Sequence, residues 1–126
     1  MLGLTFRAAA PAIRVERWRT AILPMPGARP VTVALSSDRR GCAALAAAML
    51  GRAEDGLGDE LINDFMRELV NMTAGQIKLE LSLDQALGLP RMIDGDVLFS
   101  SRHEWTHHVL DGDSIHLVVS LLQAVV

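Results

Sequence analysis

Between Asp59 and Leu83 the apolar residues Leu61, Ile62, Phe65, Leu69, Met72 and Gln76/Ile77 recur at three- and four-residue intervals. That period predicts a long amphipathic helix from Glu60 to about Leu83, capped by Asp59, with this stripe turned toward a core. The helix is the organising element, because its stripe must be buried against another layer. A polar, glycine-bearing loop, Arg52–Gly58, precedes it, and Gly88-Leu89-Pro90 closes the segment that follows.

The flanking sequence supplies that layer. Apolar and polar residues roughly alternate from Ile13 to Leu23, Pro24-Met25-Pro26-Gly27 punctuates the run, and Val31–Leu35 resumes it, which predicts two antiparallel strands. Ser36-Ser37-Asp38 offers N-caps to a first helix, Arg39–Leu50, rich in Ala, Leu and Met and ended by Gly51. Further on, Val97–Phe99 and Trp105–Leu110 read as extended, and Asp111-Gly112-Asp113 signals a hairpin into Ile115–Leu122. The expected architecture is an α/β fold of the α+β kind, with two main helices on one face of a largely antiparallel sheet in two layers. Its 126 residues make one domain, 1–126, in which residues 1–12 form a flexible or loosely packed N-terminal segment.

Composition narrows the function classes. A net charge of −3 argues against a dedicated nucleic-acid binder, whose affinity rests on clustered Lys and Arg. The charge is lopsided: residues 1–52 carry a net +6 and residues 53–126 a net −9, so the halves attract each other or an acidic partner. A single cysteine, Cys42, in an apolar run, rules out a disulfide framework and a Cys-based zinc site. The apolar runs Ala43–Leu50 and Ile115–Val126 fall short of the ~20 residues of a membrane span. The N-terminus lacks the cation and h-region of a secretory signal, so the expected location is the cytoplasm.

The second helix carries a polar stripe opposite its apolar one. Asp64, Glu68, Asn71, Gly75 and Lys78 fall within an arc of about 80° at 100° per residue. A solvated face would account for the charged members. Asn71 and Gly75 resist that reading, since Asn competes for the backbone and Gly costs ~1 kcal/mol in a helix interior relative to Ala. Gly75, one turn after Asn71, clears room for another surface to approach the Asn amide and the Glu68 carboxylate.

The run Asp64-Phe65-Met66-Arg67-Glu68-Leu69-Val70-Asn71-Met72-Thr73-Ala74-Gly75-Gln76 resembles the signature of the CheC/CheX/FliY chemotaxis phosphatases: an acidic or Ser residue, Glu four positions on, then Asn three on. The single copy of that motif, the Ala-rich helix before it and Met49-Leu50-Gly51 are similar to the CheX branch in particular. Pro90 follows Asn71 more closely than the family's proline usually does. The resemblance implies an enzyme that dephosphorylates the aspartyl phosphate of a CheY-type response-regulator receiver. Carried over, Asn71 orients the attacking water and Glu68 anchors the helix by pairing with a receiver lysine, while Asp64, Gly75 and Lys78 belong to the partner-binding surface. The chain would need no cofactor of its own, the Mg²⁺ being held by the receiver, and it would be a homodimer. The alternative is a binding module of the same fold that docks on a receiver without turnover.

Other features compete. His103-Glu104-Trp105-Thr106-His107 matches the zinc-protease pattern H-E-x-x-H, with His116 as a further ligand. Its surroundings read as strands, where residues four apart lie roughly 13 Å from each other, too far to chelate one metal ion. Arg14, Arg17 and Arg19 on the first strand suit an acidic surface, or, as the simpler reading, a solvated edge strand that uses charge against aggregation. The uncharged tail Ala124-Val125-Val126 suggests that the last strand is an exposed edge that pairs with a second subunit. Trp18, Trp105 and the methionines read as core and interface filler.

Overall fold

The computed structural model describes residues 7–8, 18–51, 56–94, 105–112 and 115–125. In chain order these form β1 (Arg7–Ala8), β2 (Arg19–Met25), β3 (Val31–Ser37), α1 (Arg39–Leu50), α2 (Asp59–Glu80), β4 (Arg91–Asp94), β5 (Thr106–Gly112) and β6 (Ile115–Leu122). The strands make one sheet in the order β1-β5-β6-β3-β2-β4, and every pairing is antiparallel. The β2–β3 hairpin aligns Met25 with Val31 and the β5–β6 hairpin aligns Gly112 with Ile115. Both helices lie on one face, as expected.

Strand periodicity decides what that face buries. Ala21, Leu23 and Met25 of β2, Val31, Val33 and Leu35 of β3, and Ile115 and Leu117 of β6 join one core with Leu45 and Ala46 of α1 and Ile62, Met66, Leu69 and Val70 of α2. The alternate residues are covered too: Thr20, Ile22, Thr32, Ala34, Ser36, Val118 and Ser120 are all buried on the opposite face. The small side chains of α1, Ala43, Ala46 and Ala47, let it lie close to its neighbours.

Several sequence expectations are corrected. β2 runs through Pro24 instead of stopping before it, because β4 pairs only with Arg19–Ile22 and leaves the missing N–H of Pro24 without a ladder position to fill. On that open side the Pro24 carbonyl accepts from the Gly88 N–H at 2.7 Å, an approach a side chain at Gly88 would block. α2 is capped by Gly58 in an extended conformation, not by Asp59, whose carboxylate accepts from Arg39 of α1 at 2.7 Å. α2 ends at Glu80, not Leu83, in a Schellman turn: Ser82 is left-handed at φ 53°, its N–H donates to Leu79 O, and the Leu83 N–H donates to Lys78 O. Met72, assigned to the apolar stripe, is exposed, whereas Met66, Val70 and Ala74 are buried, because α2 packs against both the sheet and α1.

The strand order overturns two further expectations. β6 lies between β5 and β3, so the last strand is no open edge, and β2 lies between β3 and β4, so Arg19 does not sit on one either. The edges are β1 and the short β4, whose strand the sequence did not announce. Arg14, Arg17 and Val97–Phe99 lie outside the described residues.

Candidate functional site

α2 is held at both ends by arginines from the basic half of the chain. At its start Arg39 pairs with Asp59, and Arg19 Nη1 donates to Asn63 Oδ1 at 3.0 Å while its Nε lies 3.4 Å from Asp94 of β4. Both guanidiniums lie over the Trp18 ring, Arg19 at 4.4 Å and Arg39 at 5.5 Å from its centre. At the other end Arg29 Nη2 donates to the carbonyl of Leu81 at 2.7 Å and to that of Ser82. The lopsided charge thus attracts within the chain: each of these arginine hydrogen bonds and ion pairs joins residues 1–52 to residues 53–126.

Held this way, α2 buries Ile62, Met66, Leu69, Val70 and Ala74 and turns the opposite face outward. Asp64 and Glu68 are exposed, and Asn71, Gly75 and Lys78 are half-buried along the same ridge. The five positions singled out from sequence therefore share one face, as a raised surface and not as a cavity. A cavity of about 340 Å³ does exist beyond the C-terminal end of α2, lined by Arg29, Pro30, Val31, Leu81, Leu83 and Gln123, and it includes none of the five.

The ridge residues differ in what they touch. Asp64 accepts from Arg67 Nη1 at 2.5 Å, an exposed pair one turn apart. Glu68 and Asn71 make no hydrogen bond or ion pair with the described residues, so among these residues a carboxylate and a carboxamide one turn apart on α2 are left without a partner. A Cβ built at Gly75 meets nothing within 4 Å. Nothing among the described residues therefore requires glycine at that helical position. Lys78, the chain's only lysine, closes the ridge in the last turn of α2, where its charge also suits the helix dipole.

The sequence missed part of this face. Met72 and Leu79, 38% and 75% exposed, lie beside Gly75, and only the burial pattern of α2 reveals them as outward-facing. Of the competing features, His103 and Glu104 lie outside the described residues, while Thr106 and His107 are in β5, not on a helical turn. His107 Nδ1 is 2.6 Å from Ser120 Oγ across the β5–β6 ladder. Among the described residues no three His, Cys, Asp or Glu side chains group as metal ligands, and no helix is long and apolar enough to cross a membrane. Cys42, in the first turn of α1, is buried, and that burial pushes its thiol up to about 12.

Residues 19–109, which include the whole ridge, match the family model described as Chemotaxis phosphatase CheX. The chain belongs to the CheX family. Solved structures agree on the fold. The chemotaxis protein CheX of Vibrio vulnificus is similar at 17% identity with a TM-score of 0.73, over 97% of this chain and 85% of that one. A chemotaxis protein CheX of Desulfovibrio desulfuricans is similar at 20% identity with a TM-score of 0.70, over 96% of this chain and 87% of that one. The CheX of a CheX–CheY–BeF3–Mg²⁺ complex from Borrelia burgdorferi is similar at 15% identity with a TM-score of 0.68, over 94% and 82%. No curated protein matches the sequence.

Proposed function

We propose that this CheX-family chain hydrolyses the aspartyl phosphate of a CheY-type receiver domain by presenting α2 to the receiver's active site. The supporting observation is the pair Glu68 and Asn71, one turn apart on an outward ridge and without a partner among the described residues, with nothing among them within 4 Å of a Cβ at Gly75, one turn beyond. A carboxamide can donate to and accept from one water at once and needs no titration, so Asn71 would act by orienting the water that attacks phosphorus. The phosphorus–oxygen bond to the receiver aspartate then breaks, the carboxylate leaves and inorganic phosphate forms. The Mg²⁺ that neutralises the phosphoryl oxygens would belong to the receiver, and this chain would add no cofactor. Glu68 would anchor the ridge on a receiver cation, and Asp64 and Lys78 would flank it.

The same reading includes one domain over residues 1–126, a cytoplasmic location and a homodimer, the last supported by resemblance to CheX-type proteins. Phosphate release from phosphorylated receivers tests the activity. The wild type should accelerate it, Asn71→Ala should abolish the acceleration, and Glu68→Ala should weaken binding. Binding without acceleration by the wild type would instead make this a non-catalytic receiver-binding module.

A further inference from the structure

The cavity of about 340 Å³ beyond the C-terminal end of α2 shares no residue with the ridge. Its wall is mostly apolar. Val31 and Leu83 belong to the core, Pro30 precedes Val31 at the start of β3, and Leu81 is 48% exposed, so its side chain offers apolar surface to water there. Gln123, just past the end of β6, adds a carboxamide, and Arg29 is the one charged residue of the lining. At ~30 Å³ per non-hydrogen atom, water's share of the liquid, the space holds roughly eleven such atoms. That volume lies at the small end of the range of small-molecule sites.

Arg29 is held in place before anything binds. Its carbonyl accepts from Gln85 Nε2, Pro30 after it restricts its backbone, and its Nη2 donates to the carbonyls of Leu81 and Ser82. Nε and Nη1 have no partner among the described residues, so the guanidinium keeps donors for a further acceptor. The last turn of α2 does not compete for them: the carbonyls of Ile77, Lys78 and Leu79 already accept from backbone N–H groups. Glu80 and Asp84, the acids closest in sequence to Leu81 and Leu83, are exposed and line no part of the cavity. A cation would be repelled by Arg29, and a wholly apolar molecule would leave its remaining donors unused. An anionic head on an apolar body matches both the charge and the wall.

We propose that this cavity binds a small aliphatic monocarboxylate of about eight carbons, its size set by the volume, with the carboxylate on Arg29 and the chain over Val31, Leu81 and Leu83. Charge-assisted hydrogen bonds from the guanidinium orient the head group. Covering Leu81 and the apolar wall supplies affinity. Because Gln85 and the end of α2 already order Arg29, binding costs little in fixing it. The site lies apart from Glu68 and Asn71, so it stands independently of any action on a receiver.

The test is a titration of the full chain with octanoate, followed by two-dimensional amide NMR, with octan-1-ol as the same chain length without the charge. Octanoate should shift the amides of Val31, Leu81, Leu83 and Gln123 saturably, with a dissociation constant on the order of 1 mM. Octan-1-ol should bind roughly tenfold more weakly, and Arg29→Gln should weaken octanoate binding by a similar factor. Gln123→Trp, at an exposed position, should fill the cavity and abolish binding. Octanoate that shifts none of these amides, or that binds Gln123→Trp as it binds the wild type, would overturn the site. Octan-1-ol binding as tightly as octanoate, or Arg29→Gln binding octanoate as tightly as the wild type, would overturn the assignment to a carboxylate. Arg29 also holds the end of α2, so if Arg29→Gln unfolds, the comparison of octanoate with octan-1-ol on the wild type decides the point.

Discussion

Arg19 Nη1 donates to Asn63 Oδ1 at 3.0 Å, a bond from the sheet to the helical residue immediately before the outward ridge. Asn63 lies one turn after Asp59, which Arg39 holds, so two guanidiniums grip successive turns of α2 and fix its rotation. That rotation sets which way Asp64, Glu68 and Asn71 face.

Removing the grip should loosen the helix. Arg19 is only about a quarter exposed, and a hydrogen bond from a charged donor contributes roughly 1.5–3 kcal/mol. Arg19→Met is expected to lower unfolding free energy by about that amount, read from urea midpoints. A double-mutant cycle with Asn63→Ala should show coupling between the two, and strict additivity would contradict the grip.

Gly75 offers a substitution whose effects on stability and function should oppose each other. With nothing within 4 Å of a built Cβ, Gly75→Ala should stabilise the protein by about 0.5–1 kcal/mol, as alanine does in helix interiors. The added methyl stands on the docking face, so the same variant should bind a receiver more weakly. Gains in both would show that no surface closes on this position.

At the end of α2, Ser82 occupies the left-handed position of the Schellman turn, where glycine carries no Cβ penalty. Ser82→Gly should raise stability by about 1 kcal/mol, measured by thermal or urea unfolding, without changing receiver binding.

The buried Cys42 thiol predicts a response to alkali. Burial, followed by the nearby Asp38 carboxylate, raises it to about 12, so the folded chain holds this proton after the unfolded chain has lost it. Its contribution is fully present below the unfolded value, 9.0, and is lost as pH rises from there toward 12. The unfolded state binds fewer protons in that window, so stability should fall by about 1.4 kcal/mol per pH unit. The chain has no tyrosine and a single lysine to blur the effect. Cys42→Ala should flatten the slope between pH 9 and 12, which urea unfolding at successive pH values would show.

Local signals carried much of this fold. Asp38 caps α1 through its side chain, accepting from the Gly41 N–H, and Gly51 closes it in a left-handed conformation, both as their residue types suggest. The ridge was legible for the same reason, since Asn71 and Gly75 are poor helix residues and their spacing is fixed by the helix itself. What failed depends on partners distant in the chain. Asp59 could not cap α2 because Arg39 had already engaged it, and Met72 turned outward because α1 and the sheet together bury a different arc of α2. The interior position of β6 is set by pairing with β3, some eighty residues earlier, which no local pattern encodes.

The most direct test compares single-turnover phosphate release from a phosphorylated CheY-type receiver with binding of its beryllofluoride form, for the wild type and Asn71→Ala. If Asn71 orients the attacking water, Asn71→Ala will bind the receiver nearly as tightly as the wild type and release phosphate no faster than the receiver alone. A variant that retains wild-type release would contradict the role of Asn71.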